Sequence, residues 1–235
     1  MSGVAENLIE IRDEIAAACV KAGRTRQDVH LIAVSKTFPV ESIREAVEAG
    51  QTIFGESKLQ EAEPKVAGLP SSLEWHFIGR VQRNKVRKIL QIASVIHAID
   101  SLKLADYVSK VALESGMRPS LYLQVNLAGE LSKGGFSPDE LRHDLKEILS
   151  LPGVEIVGLM TLPPVEDKAE NSRKWFTGLR ILRDDLEREF GASLPFLSMG
   201  MSGDFQIAIE EGATHVRVGS AIFGKRAYRV DGELG

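Results

Sequence analysis

The chain has 235 residues, 43% of them hydrophobic and 26% charged, with a formal net charge of −4. This is the balance of an ordinary globular protein with material for a full core, and it argues against a general nucleic-acid or membrane binder, a local basic patch excepted. The single cysteine, Cys19, excludes an internal disulfide framework and fits a reducing cytoplasm; no stretch approaches a membrane span, and the polar start lacks a signal-peptide core.

In chain order, residues 4–23 read as an amphipathic helix ending at Gly23, and the stripe Leu8, Ile11, Ile15 and Cys19 makes the cysteine a core residue. Leu31 to Ser35 form a near-continuous apolar run, as in a buried parallel strand, that leads straight into Lys36. Pro39 closes the loop before a helix at 40–49 that stops at Gly50. An ammonium at a strand exit must be paired, reach solvent or have reacted. A desolvated lysine loses its proton more readily and attacks aldehydes. From this stretch alone, a lysine snorkelling to the rim is the favoured reading, and the rest of the chain reverses that order.

Further strands are expected at 51–55, 74–78, 94–99, 121–125, 154–160, 195–199 and 215–218. The helices between them lie at 57–66, at 82–92, and after the cap-type pair Asp100-Ser101. Another opens at Ser137-Pro138-Asp139-Glu140, a capping box with proline at its first position. Trp175, Leu179, Leu182 and Leu186 mark the inner stripe of a long helix, with Arg180 and Asp184 paired on its outer face. A short helix at 204–211 and a last one from Gly219 follow, before a short charged tail after Gly224 that is expected to fray. Strict strand–helix alternation implies a parallel sheet, and eight units favour a closed (β/α)₈ TIM barrel with an extra N-terminal helix, in one domain over residues 1–235.

Active sites of such barrels lie at the C-terminal strand ends. The exits here carry Lys36, Glu56, His76, Asp100, Asn126, Met160, Ser202 and Arg217. The last two exits, MGMSGD (Met199 to Asp204) and RVGSAIFG (Arg217 to Gly224), put glycine and serine at strand-to-helix turns, where backbone N–H groups favour an anion. A phosphate cradle facing a strand-end lysine suits an aldehyde-bearing phosphate ester. Pyridoxal 5′-phosphate meets both demands, and a phosphosugar for a lysine aldolase meets them too. An arginine facing a pyridine nitrogen would stay protonated and weaken the ring as an electron sink, whereas a salt bridge inside the barrel is the plain alternative for Arg217. His76 and His97, in apolar strands, read as satisfied core histidines, and nothing has zinc-ligand spacing. Arg80, Arg83, Lys85, Arg87 and Lys88 form a basic run that reads first as a solvated helix and second as a docking patch for an acidic partner or RNA, with Arg83 and Arg87 on one face.

The stretches LIAVSKTFP, WHFIGRVQRNK, KGGF, GLMT and MGMSGDFQIAIEEGATHVRVGSAIFG resemble those of the pyridoxal phosphate homeostasis proteins (YggS/PROSC), which are similar to the N-terminal barrel of alanine racemase. The resemblance spans nearly the whole chain. It implies a fold type III-like barrel in which Lys36 carries pyridoxal 5′-phosphate as a Schiff base. It further implies that Ser202, Gly219 and Ser220 hold the phosphate beside Met199, with Arg217 near the ring nitrogen. Where the family commonly reads FGENYVQE, this chain has Ser57 and Lys58 in place of the asparagine and tyrosine, so no cofactor contact is carried over from that loop. The chain ends soon after its last motif, so the second domain that gives alanine racemase its opposite base is not expected. The function implied is cytoplasmic cofactor carriage by a monomer, with apo-enzymes as acceptors, without efficient catalysis and without a membrane or nucleic-acid partner. An amino-acid racemase or aldolase is the alternative.

Overall fold

A computed structural model of the chain describes residues 3–130 and 133–224. Among these, eight parallel strands close into a barrel in sequence order. They are β1 (His30–Val34), β2 (Ile53–Glu56), β3 (Glu74–Phe77), β4 (Val95–Ile99), β5 (Ser120–Val125), β6 (Glu155–Thr161), β7 (Phe196–Met201) and β8 (His215–Val218). Each of β1 to β7 is followed by a helix that covers its outer face: α2 (Val40–Glu48), α3 (Leu59–Gly68), α4 (Val86–Ile92), α5 (Leu102–Glu114), α6 (Pro138–Leu149), α7 (Arg173–Phe190) and α8 (Phe205–Glu210). The short α9 (Ser220–Phe223) follows β8, and α1 (Val4–Lys21) precedes β1.

Local chemistry accounts for the helix ends. Ser101 Oγ accepts from the Leu104 N–H to start α5, and the expected box at Ser137 forms, its hydroxyl bonding the Glu140 N–H while Glu140 returns to the Ser137 N–H. The α1 stripe buries Leu8, Ile11, Ile15 and Cys19, as read from sequence, and burial pushes the Cys19 thiol above its ordinary pKa. This helix packs against α8 and α9, where Asn7 Nδ2 donates to the Ile222 carbonyl at 2.7 Å. It thereby braces the two helices that leave the glycine-serine turns.

Several expectations need correction. The β2–α3 junction lies about two residues later than read, so Glu56 ends the strand and Lys58 caps the helix. The helix expected at 82–92 opens with a 3₁₀ turn, Arg83–Lys85. Phe176, not Trp175, completes the inner stripe of α7; half-buried Trp175 donates its indole N–H to Glu166. Arg180 pairs with Glu211 of the α8–β8 turn and Asp184 with Arg183, because the longer reach to a carbonyl and a carboxylate at one place satisfies the guanidinium fork better. The tail after Gly224 lies outside the described residues. The basic run is largely engaged: Arg83 stacks on Tyr107, Arg87 meets Glu114, and Lys88 meets Glu63. Arg83 and Arg87 do share a face, the one turned to α5.

The apolar core splits in two. A large cluster fills the layer between sheet and helices, and a small one (Val95, Ala98, Tyr122, Val157 and Met160) lies inside the barrel. Branched aliphatic residues usually dominate such interiors. Here much of the space goes to polar side chains, among them His76, His97, Ser198, His215 and Arg217, and three of their bonds cross between non-adjacent strands: His97–Ser198, Tyr122–His215 and Arg217 to the Thr161 carbonyl.

Candidate cofactor site

Lys36 stands half-buried in the turn between β1 and α2. The backbone on both sides of it is fixed. Ser35 donates its N–H to the Gly55 carbonyl at 3.1 Å and its hydroxyl to Glu56 Oε1 at 2.6 Å. Its carbonyl accepts from Lys65 Nζ at 2.9 Å, and the same ammonium meets Glu56 Oε1 at 2.7 Å. Lys65 and Glu56 are only 5% and 2% exposed, so this is a buried ion pair. On the other side, Thr37 takes the left-handed region with φ 71°, rarely adopted by a β-branched residue, and its N–H donates to Glu61 Oε2 at 2.7 Å. Burial pushes the Glu56 carboxyl above its ordinary pKa, against the pull of Lys65 and Ser35, and Glu56 Oε2 has no hydrogen-bond partner among the described residues.

The second half of the site is built by β7 and β8. Gly200 has φ +92°, and a Cβ there would lie 2.6 Å from that of Ala208, so only glycine lets β7 turn into α8. Asp204 closes the turn by accepting the Met201 N–H at 2.7 Å. Ser202 Oγ then accepts the Gly219 N–H at 3.2 Å, which joins the two turns directly. A Cβ on Gly219 would come within 3.1 Å of the Val34 carbonyl, two residues before Lys36. The Ser202–Gly219 turns and the lysine turn are therefore neighbours across the β1–β8 seam.

Below them Arg217 is buried inside the barrel. Its Nη1 donates to Ser198 Oγ at 2.6 Å and its Nη2 to the Thr161 carbonyl, at the exit of β6, at 2.9 Å. Burial brings the guanidinium down to about 10, with Asp204 and Tyr122 acting the other way, so it remains a cation at neutral pH. A buried cation with two neutral acceptors fits an electron-rich, uncharged partner at the mouth. The plain salt-bridge reading of Arg217 finds no carboxylate among its described hydrogen-bond partners.

The remaining exits serve the scaffold. His76 points into the interior, where it bonds His97, and Met160 belongs to the inner apolar cluster. Asn126 Nδ2 bonds the carbonyls of Glu130 and Lys133, and Lys133 Nζ reaches the Pro163 carbonyl at 2.8 Å, so the KGGF loop is tied to the β5 and β6 exits. Met199 is fully buried in the sheet–helix core, behind the β7 turn, and Ser220 is exposed at the head of α9. Sequence reasoning missed Lys65, Glu61 and the role of Glu56. A glutamate ending an apolar strand was a signal for the last, but Lys65 lies in an ordinary helical pattern and only packing turns it inward.

A strand-end lysine beside two bridged glycine-serine turns, on a closed eight-stranded barrel, defines a class. The family model for the N-terminal domain of alanine racemase matches residues 8–227. Alanine racemase of Clostridium difficile shares the fold, with a TM-score of 0.75 at 16% identity, over 97% of this chain and 58% of that one. The pyridoxal phosphate homeostasis protein of Aquifex aeolicus is 44% identical over 95% of this chain and 98% of its own length. That of Escherichia coli K12 is 35% identical over 97% and 99%. PipY of Synechococcus elongatus, solved with pyridoxal phosphate bound, superposes with a TM-score of 0.83 at 38% identity, over 94% of this chain and all of that one. The chain belongs to the pyridoxal phosphate homeostasis proteins, within the alanine racemase N-terminal domain family. No helix among the described residues is long and apolar enough to cross a membrane.

Proposed function

We propose that this protein binds pyridoxal 5′-phosphate covalently through Lys36 and holds it for supply to other proteins rather than for turnover. When bound, the cofactor brings an aldehyde that an amine captures and a ring that withdraws electrons from the amine it carries. The chain's residues fit that group. The Lys36 turn is held rigid by Glu56, Lys65 and Glu61, which presents its amine at one place. Ser202 offers its hydroxyl proton and Ser220 its N–H to a phosphate, and Gly219, whose N–H the Ser202 oxygen accepts, keeps the two turns together at that place. Arg217 keeps its own proton and donates a hydrogen bond, so a ring nitrogen facing it stays unprotonated and the electron sink is weak. That feature, a buried guanidinium that would leave the ring nitrogen unprotonated, is the observation that supports the reading of a carrier over an amino-acid racemase. Met199 supports the turn from behind.

The carrier acts as a single-domain monomer in the cytoplasm, with apo forms of cofactor-dependent enzymes as acceptors. Two measurements test this. Borohydride treatment of the cofactor-loaded protein followed by mass spectrometry places the adduct on Lys36, and none forms in Lys36→Ala; an adduct on another lysine refutes the assignment. Incubation with an excess of apo-aminotransferase restores the latter's activity, while D- and L-alanine stay unconverted. Sustained racemisation that vanishes in Lys36→Ala would restore the enzyme reading.

A further inference from the structure

A run of hydrogen bonds crosses the barrel interior from one mouth to the other, and the cofactor site uses only its upper end. Arg217 Nη1 donates to Ser198 Oγ at 2.6 Å, and Ser198 Oγ lies 2.8 Å from His97 Nδ1. His97 Nε2 lies 2.9 Å from His76 Nδ1, and His76 Nε2 lies 2.8 Å from Glu74 Oε1. His76, His97, Ser198 and Arg217 are buried. Glu74 opens β3 at the N-terminal mouth with 47% of its side chain exposed.

Donor and acceptor rules give the run one direction. An ionised Glu74 accepts only, and its hydrogen bond from His76 holds its carboxyl below the ordinary value, so His76 carries a proton on Nε2. A neutral His76 then accepts on Nδ1, which puts the His97 proton on Nε2. His97 Nδ1 is left as an acceptor, and it takes the hydroxyl proton of Ser198, whose oxygen accepts from Arg217. Every link is satisfied. Burial, with His76, Arg217 and His215 adding, holds His97 far below the usual histidine range, so His97 stays neutral throughout.

One proton from water alters all of this. Gained by His76, it makes that ring a donor at both nitrogens, and His97 Nε2 must accept. The His97 proton then sits on Nδ1 and points at Ser198 Oγ, which now accepts from both His97 and Arg217 while its own hydroxyl proton loses its partner. The count balances at one proton gained, with His97 changing tautomer and not charge. We infer that His76 and His97 are positioning residues for Arg217, and that a proton taken up at the Glu74–His76 end is transmitted to Arg217 as a change of tautomer at His97. Its reach to the cofactor rests on the assignment of Arg217 above; the relay itself does not. The other titratable or charged groups around these rings are Tyr122, stacked on His97 at 4.2 Å, His215 at 6.1 and 6.5 Å, and His30, stacked on His215.

The test is nitrogen-15 NMR of the histidine rings in the unmodified, cofactor-free protein, which needs no variant to fold. His97 is expected as the Nε2–H tautomer at neutral pH, changing to Nδ1–H once the His76 ring donates at both nitrogens. A Nδ1–H tautomer at neutral pH, or no change as His76 is protonated, overturns the relay. In Glu74→Gln the change moves toward acid, and Glu74→Asp, which keeps the charge, returns it toward the wild-type position. An unmoved change in Glu74→Gln removes Glu74 from the relay. In cofactor-loaded protein the visible absorption follows the same pH and moves with it in Glu74→Gln. A spectrum flat with pH in both proteins, alongside a tautomer change by NMR, overturns the coupling to the cofactor end. Failure of the wild type to take up cofactor at all counts against the function proposed above and leaves the relay to be judged by NMR.

Discussion

The two sides of the barrel mouth are held by different physics. On the β1–β2 side the Lys36 turn rests on a buried ion pair, Lys65 with Glu56, that also grips Ser35. On the β7–β8 side the turns rest on single hydrogen bonds and not on an ion pair among the described residues, with the Asp204 carboxylate accepting the Met201 N–H at 2.7 Å. A hydroxyl-to-amide bond joins Ser202 to Gly219, and Arg217 below is bonded to a neutral serine and a carbonyl. The contrast suits what we propose each side presents. A lysine amine proposed to capture an aldehyde gains from one position and partial exclusion of water, which a rigid buried pair supplies. A proposed phosphate gains from hydroxyl and N–H donors at the two turns.

Breaking the ionic side gives the largest expected effect. Glu56→Ala or Lys65→Ala leaves an uncompensated buried charge and costs about 3–5 kcal/mol of stability in urea denaturation, whereas the double change Glu56→Leu with Lys65→Met recovers most of it. Equal loss in single and double variants would show that shape, not charge, fixes the Lys36 turn.

The barrel interior beneath both sides is instead sensitive to pH. Burial holds both His97 and His215 well below 6.5, so below that pH the unfolded chain binds protons that the folded chain does not. Stability contributed by each neutral ring is complete above about 6.5 and is lost as pH falls, at up to about 1.4 kcal/mol per pH unit per histidine. Glu56, pushed upward by burial, works in the opposite sense at lower pH. Denaturation at a series of pH values between 7.5 and 5.5 checks the sign, and a stability that is level or rises with acid contradicts it.

Gly219→Asp sharpens the contrast at the turns. Its Cβ meets the Val34 backbone and its carboxylate faces the proposed phosphate, so loss of the charge-assisted bonds there should weaken cofactor binding by about 1.5–3 kcal/mol per bond in equilibrium dialysis. Lys36→Ala, by comparison, keeps non-covalent binding. The smallest effect belongs to Ser202→Ala, which removes one hydrogen bond between the turns and costs about 1 kcal/mol of affinity with little change in folding.

Much of this was legible in the chain. Near-continuous apolar runs, helix stripes and the box at Ser137 are local signals, and they placed the strands and helices to within a few residues because period and capping depend on neighbours in sequence. Lys36, Ser202, Arg217 and Gly219 were legible as strand-exit chemistry for the same reason. Trp175 and Arg180 were misread because a stripe one residue wide cannot show which of two adjacent aromatics faces inward, and because a long side chain chooses partners in space.

The sequence by itself determined the alternation of strand and helix, the closed barrel that this alternation favours, and the lysine and the glycine-serine turns at its C-terminal rim. Only the tertiary structure decided that Lys65 turns inward to Glu56, that Ser202 bonds Gly219, and that Glu74, His76, His97, Ser198 and Arg217 meet in one line across the interior. Those five residues come from β3, β4, β7 and β8, and the link that joins the two halves, His97 of β4 to Ser198 of β7, spans strands that are not adjacent and exists only once the barrel closes. Burial then makes their donors and acceptors match, because an unpaired polar group inside is costly.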